Sequence, residues 1–103
     1  MKAASSRLSM AERLIFRVHA LQRMFERSIH AEDVRQVLAA GKIIERDPDD
    51  RPYPSRLVLG WLGARPIHVV VAEHAARQET IVITVYEPDP SRWEPGFERR
   101  RRT

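Results

Sequence analysis

The chain has 103 residues, of which 43% are hydrophobic and 31% charged, and it contains no cysteine. That length holds one modest core, no apolar run approaches the roughly 18 residues of a membrane helix, and the absence of thiols excludes a disulfide framework or thiolate metal site and fits a cytoplasmic protein. The net charge of +4 is accounted for by the run Arg99, Arg100, Arg101 and Arg102, so the remainder is formally neutral. Of the 18 basic residues only Lys2 and Lys42 are lysine. The planar guanidinium fork suits phosphate, so this bias leans toward an anionic partner, although high genomic GC content produces the same bias.

In chain order, residues 1–13 read as a flexible leader without the apolar segment of a secretory signal. Residues 14–93 read as one α+β domain and residues 94–103 as a basic tail, with Pro90, Trp93, Pro95 and Phe97 beyond Pro88 reading as a partly docked extension. The spacing predicts a first helix over residues 18–27, with Val18, Leu21, Met24 and Phe25 on the side of Ala20. His19, Arg23 and Arg27 fall at i, i+4 and i+8 along its polar side. A second helix over residues 31–40 buries Val34, Val37 and Leu38 and reaches a capping Gly41; His30 stands where Ser or Thr would cap best, with Asp33 as the nearby carboxylate.

After Gly41 the period changes to two. A short strand over residues 42–47 precedes a stiff loop with Pro48, Pro52 and Pro54, and strands follow over residues 56–62, 66–73 and 80–86. The expected fold is two N-terminal helices packed on one face of a four-stranded, mainly antiparallel sheet, in the order ααββββ. Alternation places Leu57, Leu59, Trp61, Ile67, Val69, Val71, Ile81, Ile83 and Val85 on the helix side. Arg56, His68, Thr84 and Tyr86 fall on the reverse, a face that is either solvated or a site. A tail such as residues 99–102 attracts polyanions by counterion release, yet such runs are most often solvated termini.

Several stretches carry a resemblance that covers roughly residues 18–93. They are the run from His19 to Arg27, followed by Ile29, Glu32, Asp33, Val34 and Gly41; then Arg51-Pro52-Tyr53-Pro54-Ser55, Leu57-Val58-Leu59-Gly60, Pro66-Ile67-His68-Val69-Val70-Val71 and Ile83-Thr84-Val85-Tyr86-Glu87-Pro88. Together they resemble the bacterial domain of unknown function 4258 family, with His30 and Ala31 in place of the more usual serine-containing helix start. That family is similar to RelE-like and BrnT-like toxins of toxin–antitoxin pairs, small α+β proteins that often act as ribonucleases. The resemblance implies a RelE-like fold, RNA as substrate (with the ribosome as one place to meet it), a cognate antitoxin as protein partner, no membrane partner and no cofactor.

A metal-independent ribonuclease needs a base for the 2′-hydroxyl, cations for the phosphorane and an acid for the leaving 5′-oxygen. On the resemblance, His68, His19, Arg56 and Tyr86 become the catalytic candidates, and Arg23, Arg27, Thr84 and Arg51 the substrate contacts. For His68 the alternative is a strand histidine hydrogen-bonded beside the core. For any one arginine it is a surface ion pair with Glu26, Glu45 or Glu73. His19 reaches the reverse face only around a sheet edge; otherwise it is structural. A zinc site from His19, His30, His68 and His74 has no ligand spacing to support it. Two classes stay open: a toxin-like ribonuclease or translation inhibitor, and a non-catalytic module of the same fold that binds RNA or protein.

Overall fold

The computed structural model describes residues 13–102. Its elements are β1 (Arg13–Phe16), α1 (Val18–Glu26), α2 (Ala31–Ala40), β2 (Lys42–Asp47), β3 (Ser55–Leu62), β4 (Arg65–His74), a short 3-10 turn (Ala75–Arg77) and β5 (Glu79–Tyr86). They build a five-stranded sheet in the order β1-β5-β4-β3-β2. β1 runs parallel to β5, and the other pairs are antiparallel.

The expected ααββββ order with a four-stranded sheet is therefore corrected. A strand precedes the helices, and the sheet is five-stranded and mixed. β1 escapes sequence reading because four residues are too few to establish a period of two. Its partner also lies far away along the chain: Arg13 pairs with Glu79 at 2.9 Å across a separation of 66 residues. Leu14 and Phe16 pack against the core, so the strand does carry the alternation that its brevity conceals. The expected leader, apart from Arg13, lies outside the described residues.

Both helices lie on one face of the sheet, α1 over β5 and α2 over β3 and β4. α2 begins as the sequence suggests: the Asp33 carboxylate accepts the His30 N–H at 2.9 Å, satisfying a donor that the first turn leaves free. α1 buries Ala20 and Met24 but leaves Val18 70% and Phe25 89% exposed, because its apolar arc is wider than the contact with the sheet. Among the described residues, no helix is long and apolar enough to cross a membrane.

Gly41 ends α2 in an extended conformation with φ −75°, so left-handed geometry is not what requires glycine there. Crowding is. A Cβ on Gly41 would meet the Val37 carbonyl, the Leu59 carbonyl at 2.7 Å and Val58 Cγ1 at 2.8 Å. Two of these are backbone atoms and cannot swing away. Gly41→Ala is expected to destabilise the fold by about 2–3 kcal/mol, the range for overpacking a tight core, measured by denaturant unfolding.

The register sorts the side chains, because residues opposite one another in an antiparallel pair share a face. Val58 lies opposite Val69 and Gly60 opposite Ile67, and these face the helices; Leu57 lies opposite Val70 and Leu59 opposite His68, on the reverse. The expected phase of β3 was thus inverted. Because Leu57, Val58 and Leu59 are all buried, hydrophobicity occurs at both parities and cannot set the phase. A register shift between Val70 and Val71 then turns Val82 as well as Val85 toward the helices and leaves Ile81 opposite Ala72.

Candidate functional site

The reverse face of the sheet centres on His68. β4 holds it between Leu59 of β3 and Tyr86 of β5, and its side chain is fully buried. The Nε2 atom lies 2.9 Å from the Phe97 carbonyl oxygen and Nδ1 lies 3.2 Å from the Tyr86 hydroxyl. A carbonyl can only accept, so Nε2 carries the proton and donates, while Nδ1 accepts from the phenol. Burial lowers the His68 pKa, against a smaller upward pull from the Phe97 carbonyl, and burial likewise raises that of Tyr86. The pair is a neutral imidazole beside a protonated phenol.

The cover over this pair comes from the C-terminal segment. Trp93 and Arg100 form an antiparallel bridge, closed by Glu94 N–H to the Arg99 carbonyl and Arg101 N–H to the Arg92 carbonyl, both at 2.8 Å. The Trp93 ring stands edge-on to His68 with centroids 4.5 Å apart, and it is 3% exposed. At the turn, Gly96 and Phe97 have φ of 91° and 61°. For Phe97 the left-handed conformation costs about 1 kcal/mol, offset by the contacts of its carbonyl and ring. That ring meets Trp61 edge-on at 6.1 Å.

Two ion pairs fasten the segment to β2. Arg100 grips Glu45 through Nε at 2.8 Å and a second nitrogen at 3.1 Å, and Lys42 meets Glu98 at 2.8 Å. The carboxylate of Glu45 keeps the Arg100 guanidinium charged, and the guanidinium also lies over the Trp93 ring at 4.7 Å. Residues 94–102, which read in sequence as a basic tail with Pro95 and Phe97 in a partly docked extension, are seated on the sheet.

Two clefts meet at Tyr86 and Arg100, which line both. The first, of about 220 Å³, runs along β2 and β3 and includes Glu45, Leu57 and Val70. The second, of about 570 Å³, brings Arg23 and Arg27 of α1 together with Arg92, Trp93, Glu87 and Asp89. Its acids are already engaged. Glu87 pairs with Arg65 at 3.1 Å, and Asp89 is held ionised by the Ser91 N–H at 2.8 Å and, more weakly, by the Arg92 charge. Arg27 and Arg92 make no ion pair among the described residues.

Of the residues singled out in sequence, His68 and Tyr86 are in contact, and Arg23 and Arg27 reach the Tyr86 end of the sheet. Thr84 lies opposite Val70 and shares their face. Arg56 pairs in register with Val71 on the helix side, with its guanidinium 3.8 Å from Glu73, and it also lines the first cleft with Glu45, Tyr86 and Arg100. His19 is exposed on α1 and lines neither cleft. Arg51 lies in the proline-rich loop, beside a separate cavity with Arg17 and Tyr53. Glu45 and Arg100 are the members sequence reasoning missed; Glu45 entered it only as a salt-bridge partner and Arg100 only within a charged run.

Fold and site together define a small α+β protein with helices on one side of a mixed sheet and a buried histidine–tyrosine pair under a C-terminal strap on the other. Residues 16–87 match the model of Domain of unknown function (DUF4258). The chain belongs to that family, and the strap follows the matched stretch. Neither the curated proteins nor the solved structures contain a match to this chain.

Proposed function

We propose that this protein binds RNA along the two clefts that join at Tyr86 and Arg100, as the toxin-like member of a toxin–antitoxin pair with a cognate antitoxin as its protein partner. The observation that carries the binding reading is the meeting of Arg23, Arg27, Arg92 and Arg100 in one open cleft, where Arg27 and Arg92 make no ion pair among the described residues. Guanidinium groups so placed suit successive phosphates. The choice of RNA rests on the likeness to RelE-like and BrnT-like toxins. With both His68 ring nitrogens engaged and the side chain out of solvent, the closed arrangement favours binding without cleavage.

One observation favours metal-independent cleavage as a second reading: His68 and Tyr86 each feel the charges of both Glu45 and Arg100. A carboxylate, an imidazole, a phenol and a guanidinium comprise the groups such chemistry uses. It requires His68 Nε2 to be free.

Fluorescence anisotropy with a 12-nucleotide oligouridylate tests the binding reading. Affinity is expected to fall with salt along a log–log slope of roughly −2 to −3, as for three or four phosphate contacts on a single strand. No binding at about 50 mM salt sinks it. Induced expression is expected to slow bacterial growth, and normal growth at verified soluble levels removes the toxin assignment. Cleavage of the same RNA in the presence of a chelator decides for the second reading.

A further inference from the structure

We propose that residues 94–102 are a displaceable cover over His68 and Tyr86, hinged at Trp93 and released when a polyanion takes Arg100 away from Glu45. The release step rests on the RNA reading above. Three observations point to a cover. The segment lies outside the stretch that matches the family. It blocks the most chemically capable group on this face, since the Phe97 carbonyl occupies His68 Nε2. Its two ion pairs to β2 are light: Lys42–Glu98 and Arg100–Glu45 leave the side chains 54%, 48%, 63% and 39% exposed, so salt and competing ions reach them.

The hinge and the moving part differ in how they are held. Trp93 is buried against His68, whereas Glu98, Arg99 and Arg100 are exposed and Phe97 is only partly covered. Pro95 and the left-handed Gly96 and Phe97 follow directly after the anchored tryptophan and Glu94. Arg100 belongs to both states. In the closed state it holds Glu45; it also lines the arginine cleft, where a phosphate would compete for the same fork. A ligand that fills the cleft thus loosens the tie that keeps His68 covered. Opening frees the imidazole Nε2 and bares the surface formed by Leu59, His68 and Tyr86.

Amide exchange of the full-length protein tests this, measured alone, with saturating 12-nucleotide oligouridylate, and in Glu45→Gln. The Arg101 amide, whose acceptor is the Arg92 carbonyl on the other side of the hinge, is expected to exchange about tenfold faster with RNA and in the variant, while the amides of β3 and β4 keep their protection. Lys42→Gln, which cuts the second tie, is expected to act in the same direction. Unchanged exchange in both variants overturns the cover. RNA that binds by anisotropy and leaves exchange unchanged overturns the release step alone, whereas no binding at all strikes the RNA reading and the release step together.

Discussion

Replacing Arg27 and Arg92 together by glutamate is expected to weaken oligouridylate binding by roughly tenfold to a hundredfold at about 0.1 M salt and to flatten the salt slope by about 1.4 units, if each guanidinium holds one phosphate of the single strand. The two side chains come from α1 and from the C-terminal strap, and neither makes an ion pair among the described residues. Their reversal removes two attractions and adds two repulsions while breaking no ion pair among the described residues, and it costs only the weak attraction between Arg92 and Asp89. Arg35→Glu with Arg77→Glu, on α2 and on the turn between β4 and β5 and outside both clefts, changes the net charge equally, is the control and is expected to leave affinity within about twofold. Equal losses in the two proteins would mean that net charge, not the cleft, attracts RNA.

The second large effect concerns His68. Truncation to alanine opens a cavity beneath Trp93 and leaves the Phe97 carbonyl and the Tyr86 hydroxyl without their partner, so a loss of about 3 kcal/mol is expected. For a domain of this size that lowers Tm by on the order of 10 °C or more. The same residue sets a pH dependence. Its pKa is lowered in the folded state from 6.5, so between those two values the unfolded chain binds a proton that the native state refuses. Stability is therefore expected to be full above about pH 6.5 to 7 and to fall as the pH drops below 6.5 toward the folded value. His68→Leu cannot titrate and is expected to lose that part of the slope. A wild-type Tm that is flat from pH 7 to 5.5, or a leucine variant with the same slope, would remove His68 as its origin.

Both predictions rest on a site that is only partly legible in the sequence. Alternation in β4 and β5 puts His68, Thr84 and Tyr86 on one side, and the register agrees. The same reasoning failed for β3, where apolar residues at both parities hid the phase and moved Arg56 to the helix side. It also failed for Arg100, whose place in a run of arginines gives no sign that it would reach Glu45, 55 residues away. Arg23 and Arg27 were legible as one flank of a helix. That this flank turns toward Tyr86 depends on where α1 seats on β5.

By itself the sequence determined the local elements: α2 over residues 31–40, β2 over 42–47, the three later strands and their α+β class, because helical and strand periods are properties of neighbouring residues. The tertiary structure alone decided the fifth strand, the phase of β3, the crowding that demands glycine at position 41, and the closing of a basic tail over a buried histidine. Each of these depends on groups far apart in the chain, and on which of two apolar surfaces meets the helices, which local hydropathy does not encode.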